Sequence, residues 1–145
     1  MSLVKIKKLH PDAILPTYGS ETAAGADLYA LLDEPLEIPA HTTVKIHTGL
    51  SMEIPVGYAG FIYARSSMGT KQGLAPANKV GVIDSDYRGE VMVCLHNHSN
   101  TTQTVEPKQR IAQIVIAPYL HVTFEETDSL SDTERGTGGF GSTGK

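Results

Sequence analysis

Apolar and polar residues alternate in short runs along this chain, and Gly, Pro, Asn or Asp cuts each run. Val4-Lys5-Ile6-Lys7-Lys8-Leu9 alternates loosely and predicts an edge strand. Ala26 to Leu31 follows Gly25, and Leu36 to Pro39 is short. Thr43 to Ile54 alternates over most of its length. Further strand-prone runs are Tyr58 to Ala64, Val80 to Ile83, Val91 to Leu95, Gln103 to Val105 and Ile111 to Phe124. Many short strands at this spacing predict an all-β sandwich or barrel. No window keeps a helical period. One or two turns around Ser66 to Gln72 form the single helix candidate, limited by Gly69 and Gly73.

Beyond Phe124 the pattern stops. Residues 125–134 are polar and acidic and read as a linker after a core spanning 1–124. Residues 135–145 are so rich in glycine that no helix or strand is stable there, so this arm is expected to be mobile. It nevertheless carries Arg135, Phe140, Ser142 and Thr143. Glycine lets backbone N–H groups approach an anion, arginine pairs with phosphate in a fork, and an aromatic face stacks on a nucleobase. An arm closing over a nucleotide polyphosphate and a flexible solubilising tail both fit.

Composition narrows the picture modestly. A chain of 145 residues suits one domain with a real core. A net charge of −4 provides no basic excess for bulk nucleic-acid binding, so phosphate recognition has to be local. No apolar run approaches a membrane span. The single Cys94 lies in an apolar run and reads as a buried structural thiol in a reducing, cytoplasmic compartment. His96 and His98 share a strand face, but no third ligand stands at a diagnostic spacing, and polar residues ending a strand are the simpler account.

Four more segments carry chemistry. In Gly81 to Glu90, apolar residues lead into Asp84, Asp86, Tyr87 and a glycine before a strand resumes, which fits a β-hairpin with an acidic tip beside a cleft. A carboxylate there could take a proton from water; a solvated Asp pair is the plain alternative. Arg65-Ser66-Ser67 at a strand end makes a phosphate cradle or an N-cap with a surface arginine. Asp27, among small residues, could orient a metal-bound water or an arginine, or cap a turn. Arg110 and Gln113 sit beside a buried strand, where a structural hydrogen-bonding role is the default.

Taken in order, Ala24 to Leu28, Arg65 to Gly69, Gly81 to Gly89, Arg110 to Gln113 and Arg135 to Gly144 resemble the five motifs of the trimeric dUTPase family. The resemblance implies a jelly-roll-like β fold of the β-clip kind with one short helix and a flexible C-terminal arm. It implies a homotrimer whose sites draw on all three chains, and hydrolysis of dUTP to dUMP and pyrophosphate with Mg²⁺. Asp84 would be the general base and Tyr87 would stack under the deoxyribose. Asn78 and the backbone at Gly81 would read uracil. Arg65, Ser66, the Ser67 N–H and Gln113 would hold phosphates. Asp27 would hold waters on magnesium. Phe140 would cover the base, while Arg135, Ser142 and Thr143 would bind the terminal phosphate. Neither nucleic acid nor membrane is an implied partner. Two departures stand out. Ser67 replaces a frequent glycine, and Pro107-Lys108-Gln109-Arg110 lacks the glycine common in the fourth motif, leaving the local turn open. A dCTP deaminase of the same fold and a dUTPase-like regulatory binding module are the competing readings. The Gly81 to Gly89 segment and the Phe140 arm argue against the first.

Overall fold

The computed structural model describes residues 3–141. Eleven strands run in chain order: β1 Lys5–Lys8, β2 Thr17–Tyr18, β3 Ala26–Tyr29, β4 Leu36–Ile38, β5 Thr43–Glu53, β6 Tyr58–Tyr63, β7 Leu74–Pro76, β8 Gly81–Ile83, β9 Glu90–Asn97, β10 Gln103–Val105 and β11 Arg110–Pro118. One short helix, α1 Met68–Gln72, has π pitch. The strands form a four-stranded sheet (β1-β5-β9-β7), a five-stranded sheet (β2-β3-β11-β6-β8) and a two-stranded ribbon (β10-β4). Every pairing is antiparallel. The fold is therefore the expected jelly-roll-like all-β architecture. No helix among the described residues is long and apolar enough to cross a membrane.

Sequence alternation places the core. Along β9, Val91, Val93, Leu95 and Asn97 point inward while the residues between them stay half-buried. They pack with Leu28, Ile38, Ile46, Leu50, Val105, Ile111 and Ile114, so a single apolar core draws on all three sheets. Asn97 is tolerated there because its side chain is fully bonded. Its Nδ2 donates to the Ile38 and Thr101 carbonyls, and its Oδ1 accepts from Ser99 N–H and Oγ.

Some expectations need correction. β8 pairs with β6, and β9 pairs with β5 and β7, so Gly81 to Glu90 is not a hairpin. It crosses from one sheet to the other. The last strand stops at Pro118 rather than Phe124. Leu120, Val122 and Phe124 continue the alternation but are exposed and lie outside any strand among the described residues. β2 and β7, too short for a periodic signal, were not anticipated. Cys94 is half-buried rather than buried, because β9 turns it away from the core.

The two sequence departures are accommodated differently. Ser67 has φ −64° and ψ −36°, right-handed values that need no glycine. Lys108 has φ +62°, a left-handed conformation that glycine adopts without strain. The turn survives because Lys108 N–H bonds the Ala30 carbonyl at 3.0 Å and Ala30 N–H bonds the Gln109 carbonyl at 2.8 Å. Lys108→Gly is expected to stabilise the protein by about 0.5–1 kcal/mol. Relief of the left-handed strain is partly offset by a more flexible unfolded chain. A rise in urea midpoint at constant slope checks this; no rise would mean the strain is absorbed elsewhere.

Candidate active site

Two groups of candidate residues emerge, at different places in the fold. The first lies where β3, β11 and the end of β6 meet. Gln113 pairs in register with both Asp27 and Tyr63, so the side chains beyond Tyr63 converge on Asp27. Arg65 Nε donates to Asp27 Oδ1 at 2.8 Å, and Arg110 Nη1 donates to Asp27 Oδ2 at 3.2 Å. The Asp27 side chain is only 13% exposed. Asp27 is thus an ion-paired orienting group rather than a solvated or turn-capping one. Two guanidinium groups on one carboxylate leave a net positive charge, which suits a phosphate-bearing ligand.

Arg65 also bonds the Arg110 carbonyl through Nη1 at 3.4 Å. Gln113 Nε2 donates to the Ala64 carbonyl at 2.9 Å, fixing the chain just before Arg65. Gly25 suits this arrangement, since a Cβ there would collide with the Gln113 side-chain amide. Ser66 and Ser67 are exposed, and neither hydroxyl hydrogen-bonds among the described residues; Ser67 does not cap α1. Both hydroxyls are available to a ligand.

The second group surrounds the crossing from β8 to β9. Asp84 follows Ile83 into a turn closed by Tyr87 N–H on the Asp84 carbonyl at 3.2 Å. Asp84 and Asp86 are exposed, and their carboxylates make no hydrogen bond among the described residues. The Tyr87 hydroxyl donates to the Glu90 carbonyl at 2.9 Å, laying the ring across Gly89. A Cβ at Gly89 would meet the Tyr87 ring at 2.5 Å, so only glycine fits beneath it. Glu90 accepts from His47 Nδ1 and from Gly49 N–H, each at 2.8 Å. Burial pushes the Glu90 carboxyl upward, but these bonds outweigh it and hold the pKa below its ordinary value.

Because β8 and β9 belong to different sheets, a groove opens between them. β8 bonds β6 along one edge, and β7 covers β9 only over Leu95–Asn97. The far edge of β8 is unpaired among the described residues, while on β9 Ala77 N–H bonds the Cys94 carbonyl at 2.8 Å. The groove is lined by Asn78, Gly81, Ile62, Met92 and Cys94, and it continues past Ile83 to Asp84 and Tyr87. A flat, polar-edged ligand could pair with the β8 edge while its faces meet apolar side chains. Met92 and Cys94 were not anticipated here, although the alternation along β9 puts them on its outward face. The pairing of Arg110 with Asp27 and the contacts of Arg88 were likewise not legible in sequence.

The arm joins neither group through hydrogen bonds. Residues 120–141 hydrogen-bond only to one another among the described residues, as in Arg135 Nε to the Gly138 carbonyl at 2.8 Å. Phe140 is fully exposed with φ +52°. Ser142 and Thr143 lie outside the described residues. His96 and His98 meet edge to face with centroids 4.5 Å apart. No group of three or more metal-ligating side chains occurs among the described residues.

The distance between the groups can be read from register. Ile83 pairs with Gly60, so Asp84 reaches the level of Ala59, four residues along β6 from Tyr63, which is level with Asp27. Asp27 lies on β3, three strands across the sheet from β8. At ~3.3 Å per residue and ~4.8 Å per strand, the backbones at Asp27 and Asp84 are about 20 Å apart along the sheet. A nucleophile and its target must come within about 3–3.5 Å. At that separation the carboxylates of Asp27 and Asp84 on one chain cannot meet at a single atom.

Comparison with known proteins adds identity. The dUTPase family model matches residues 11–144. The deoxyuridine 5'-triphosphate nucleotidohydrolase of Picosynechococcus sp. is 48% identical over 141 residues, covering 97% of this chain and 98% of that protein. The protein of the same name from Acinetobacter baumannii is 44% identical over 147 residues, covering 98% of each. The structure of Staphylococcus bacteriophage 80alpha dUTPase with dUPNHPP superposes with a TM-score of 0.90 at 25% identity, covering 100% of both chains.

Proposed function

The chain belongs to the dUTPase family and hydrolyses dUTP, and from that premise we propose that Asp84 is its general base and that each active site is assembled from three copies of the chain. Asp84 takes a proton from water, and the water attacks the α-phosphorus to give dUMP and pyrophosphate. Its exposed carboxylate, unbonded among the described residues, is free to accept that proton. Uracil occupies the groove between β8 and β9. Asn78 and the backbone at Gly81 read its edge, with Tyr87 under the deoxyribose. Cytosine, with donor and acceptor exchanged, would leave buried polar groups unpaired.

Arg65, Ser66, the Ser67 N–H and Gln113 bind the phosphates. The arm folds over the nucleotide with Phe140 on the base, while Arg135, Ser142 and Thr143 hold the terminal phosphate. The residues fit a Mg²⁺ that rides on the triphosphate. A carboxylate offers about four acceptor positions; arginines take one on each Asp27 oxygen, leaving room for metal-bound water. The ion would neutralise phosphate charge, and no all-protein cage is needed. The role served is removal of dUTP before it enters DNA, with dUMP supplied for thymidylate synthesis. A cytoplasmic location suits the single unpaired Cys94.

The observation that carries the assembly is the backbone separation of about 20 Å between Asp27, which pairs with Arg65, and Asp84 on one chain. The exposed, unpaired alternation at Leu120, Val122 and Phe124 supports it, because such a segment needs a surface on another copy. A homotrimer with shared sites predicts complementation. Asp84→Asn mixed with a variant lacking 135–145 should regain partial dUTP hydrolysis after subunit exchange. A monomer by sedimentation, or no recovery in verified mixed trimers, would count against shared sites. Product analysis with dUTP, dCTP, dTTP and UTP side by side tests the substrate, and ammonia released from dCTP would point to deamination instead.

A further inference from the structure

We propose that Arg88 is a positioning residue for hydrolysis, its guanidinium fixing the turn that aims Asp84. The inference rests on the reading of Asp84 as general base. No strand ladder spans the segment from Asp84 to Gly89, because β8 and β9 belong to different sheets. Its own backbone supplies one long bond, Tyr87 N–H to the Asp84 carbonyl at 3.2 Å. With no bond to its carboxylate among the described residues, Asp84 takes its direction from this turn.

Arg88 reaches back over the turn. Its Nη1 donates to the Ser85 carbonyl at 2.7 Å and to the Tyr87 carbonyl at 3.1 Å. The first acceptor adjoins Asp84 and the second closes the far side of the turn. Arg88 is anchored in its turn: its carbonyl accepts from Ser51 Oγ at 2.7 Å, and Ser51 is buried in β5. Restraint therefore passes from the rigid four-stranded sheet through Ser51 and Arg88 to the two carbonyls flanking the acidic tip. A guanidinium suits this task because it is always charged and presents several donors in a rigid plane. Tyr87 has an independent tether through its hydroxyl on the Glu90 carbonyl. Loss of Arg88 should therefore loosen Asp84 while the sugar-stacking ring keeps its place.

The expected signature is a fall in kcat without a matching change in KM. Arg88→Met keeps the aliphatic stem and removes the donors. Arg88→Lys keeps a cation that can donate to both carbonyls. With dUTP and the full-length protein, Arg88→Met should lower the single-turnover rate about 10-fold or more. Its KM should stay within about threefold and its melting temperature near wild type, since the side chain is exposed. Arg88→Lys should recover most of the rate. Wild-type kcat in Arg88→Met beside an inactive Asp84→Asn overturns the positioning role alone. So does a raised KM at unchanged kcat, an equal loss in Arg88→Lys, or a loss of rate that tracks a large fall in melting temperature. An active Asp84→Asn removes the general base itself, and the role of Arg88 with it.

Discussion

Asp84→Asn is expected to lower the single-turnover rate of dUTP hydrolysis by about 10²–10⁴-fold while dUTP still binds. Asparagine keeps the shape of the side chain but cannot take a proton from water. The carboxylate is exposed and makes no hydrogen bond among the described residues, so the substitution leaves the turn and the core untouched. The loss should appear in the chemical step, with the affinity for dUTP largely preserved, because the proposed base and phosphate contacts lie on other residues. A single-turnover assay beside a binding measurement separates the two. Activity close to wild type would transfer the role to Asp86, two residues on and equally exposed.

Deleting residues 135–145 is expected to leave folding intact and to cripple turnover. The last strand ends at Pro118, and residues 135–141 hydrogen-bond only with one another and with Thr133 of the linker among the described residues. The stability change should therefore stay within about 0.5 kcal/mol, as for surface changes away from packed features. The catalytic cost has two parts. Losing preorganised donors to phosphate charge costs on the order of 10²–10³-fold. Losing an aromatic stack on the base costs about 1–3 kcal/mol more. Thermal melting and steady-state kinetics on the truncated protein address each half. Full activity would sink the lid, and a large drop in melting temperature would make the tail a structural element.

Much of this protein was legible in its residue pattern. Alternation marked β1 and most of β5, and short strand-prone runs between turn residues marked β3, β6 and β9. Gly73 ended the helix as expected, capping α1 after Gln72 with φ +67°, whereas Gly69 lies inside the helix and does not limit it. Motif order identified the family before any geometry, since the chemistry of phosphate and base recognition restricts which residue types can serve. Alternation also carried on past Pro118, and there it misled. The pattern reports that a face seeks a partner, and it is silent on whether that partner lies in the same chain.

Tertiary structure decided what depends on long-range register. Asp27 looked like a turn residue because its ligands Arg65 and Arg110 lie 38 and 83 positions away in sequence. Gly81 to Glu90 looked like a hairpin because local sequence specifies a turn. Which edge each flanking strand takes is fixed instead by distant partners, β6 for β8 and β5 with β7 for β9. That choice splays the strands, opens the groove and leaves Arg88 to hold the turn. It also sets the backbone at Asp27 about 20 Å from that at Asp84. The sequence by itself determined which chemistry these residues can perform, because side-chain type sets charge, donors and acceptors. Only the fold decided which residues meet, because strand pairing over tens of positions follows the burial of the whole core rather than any local preference.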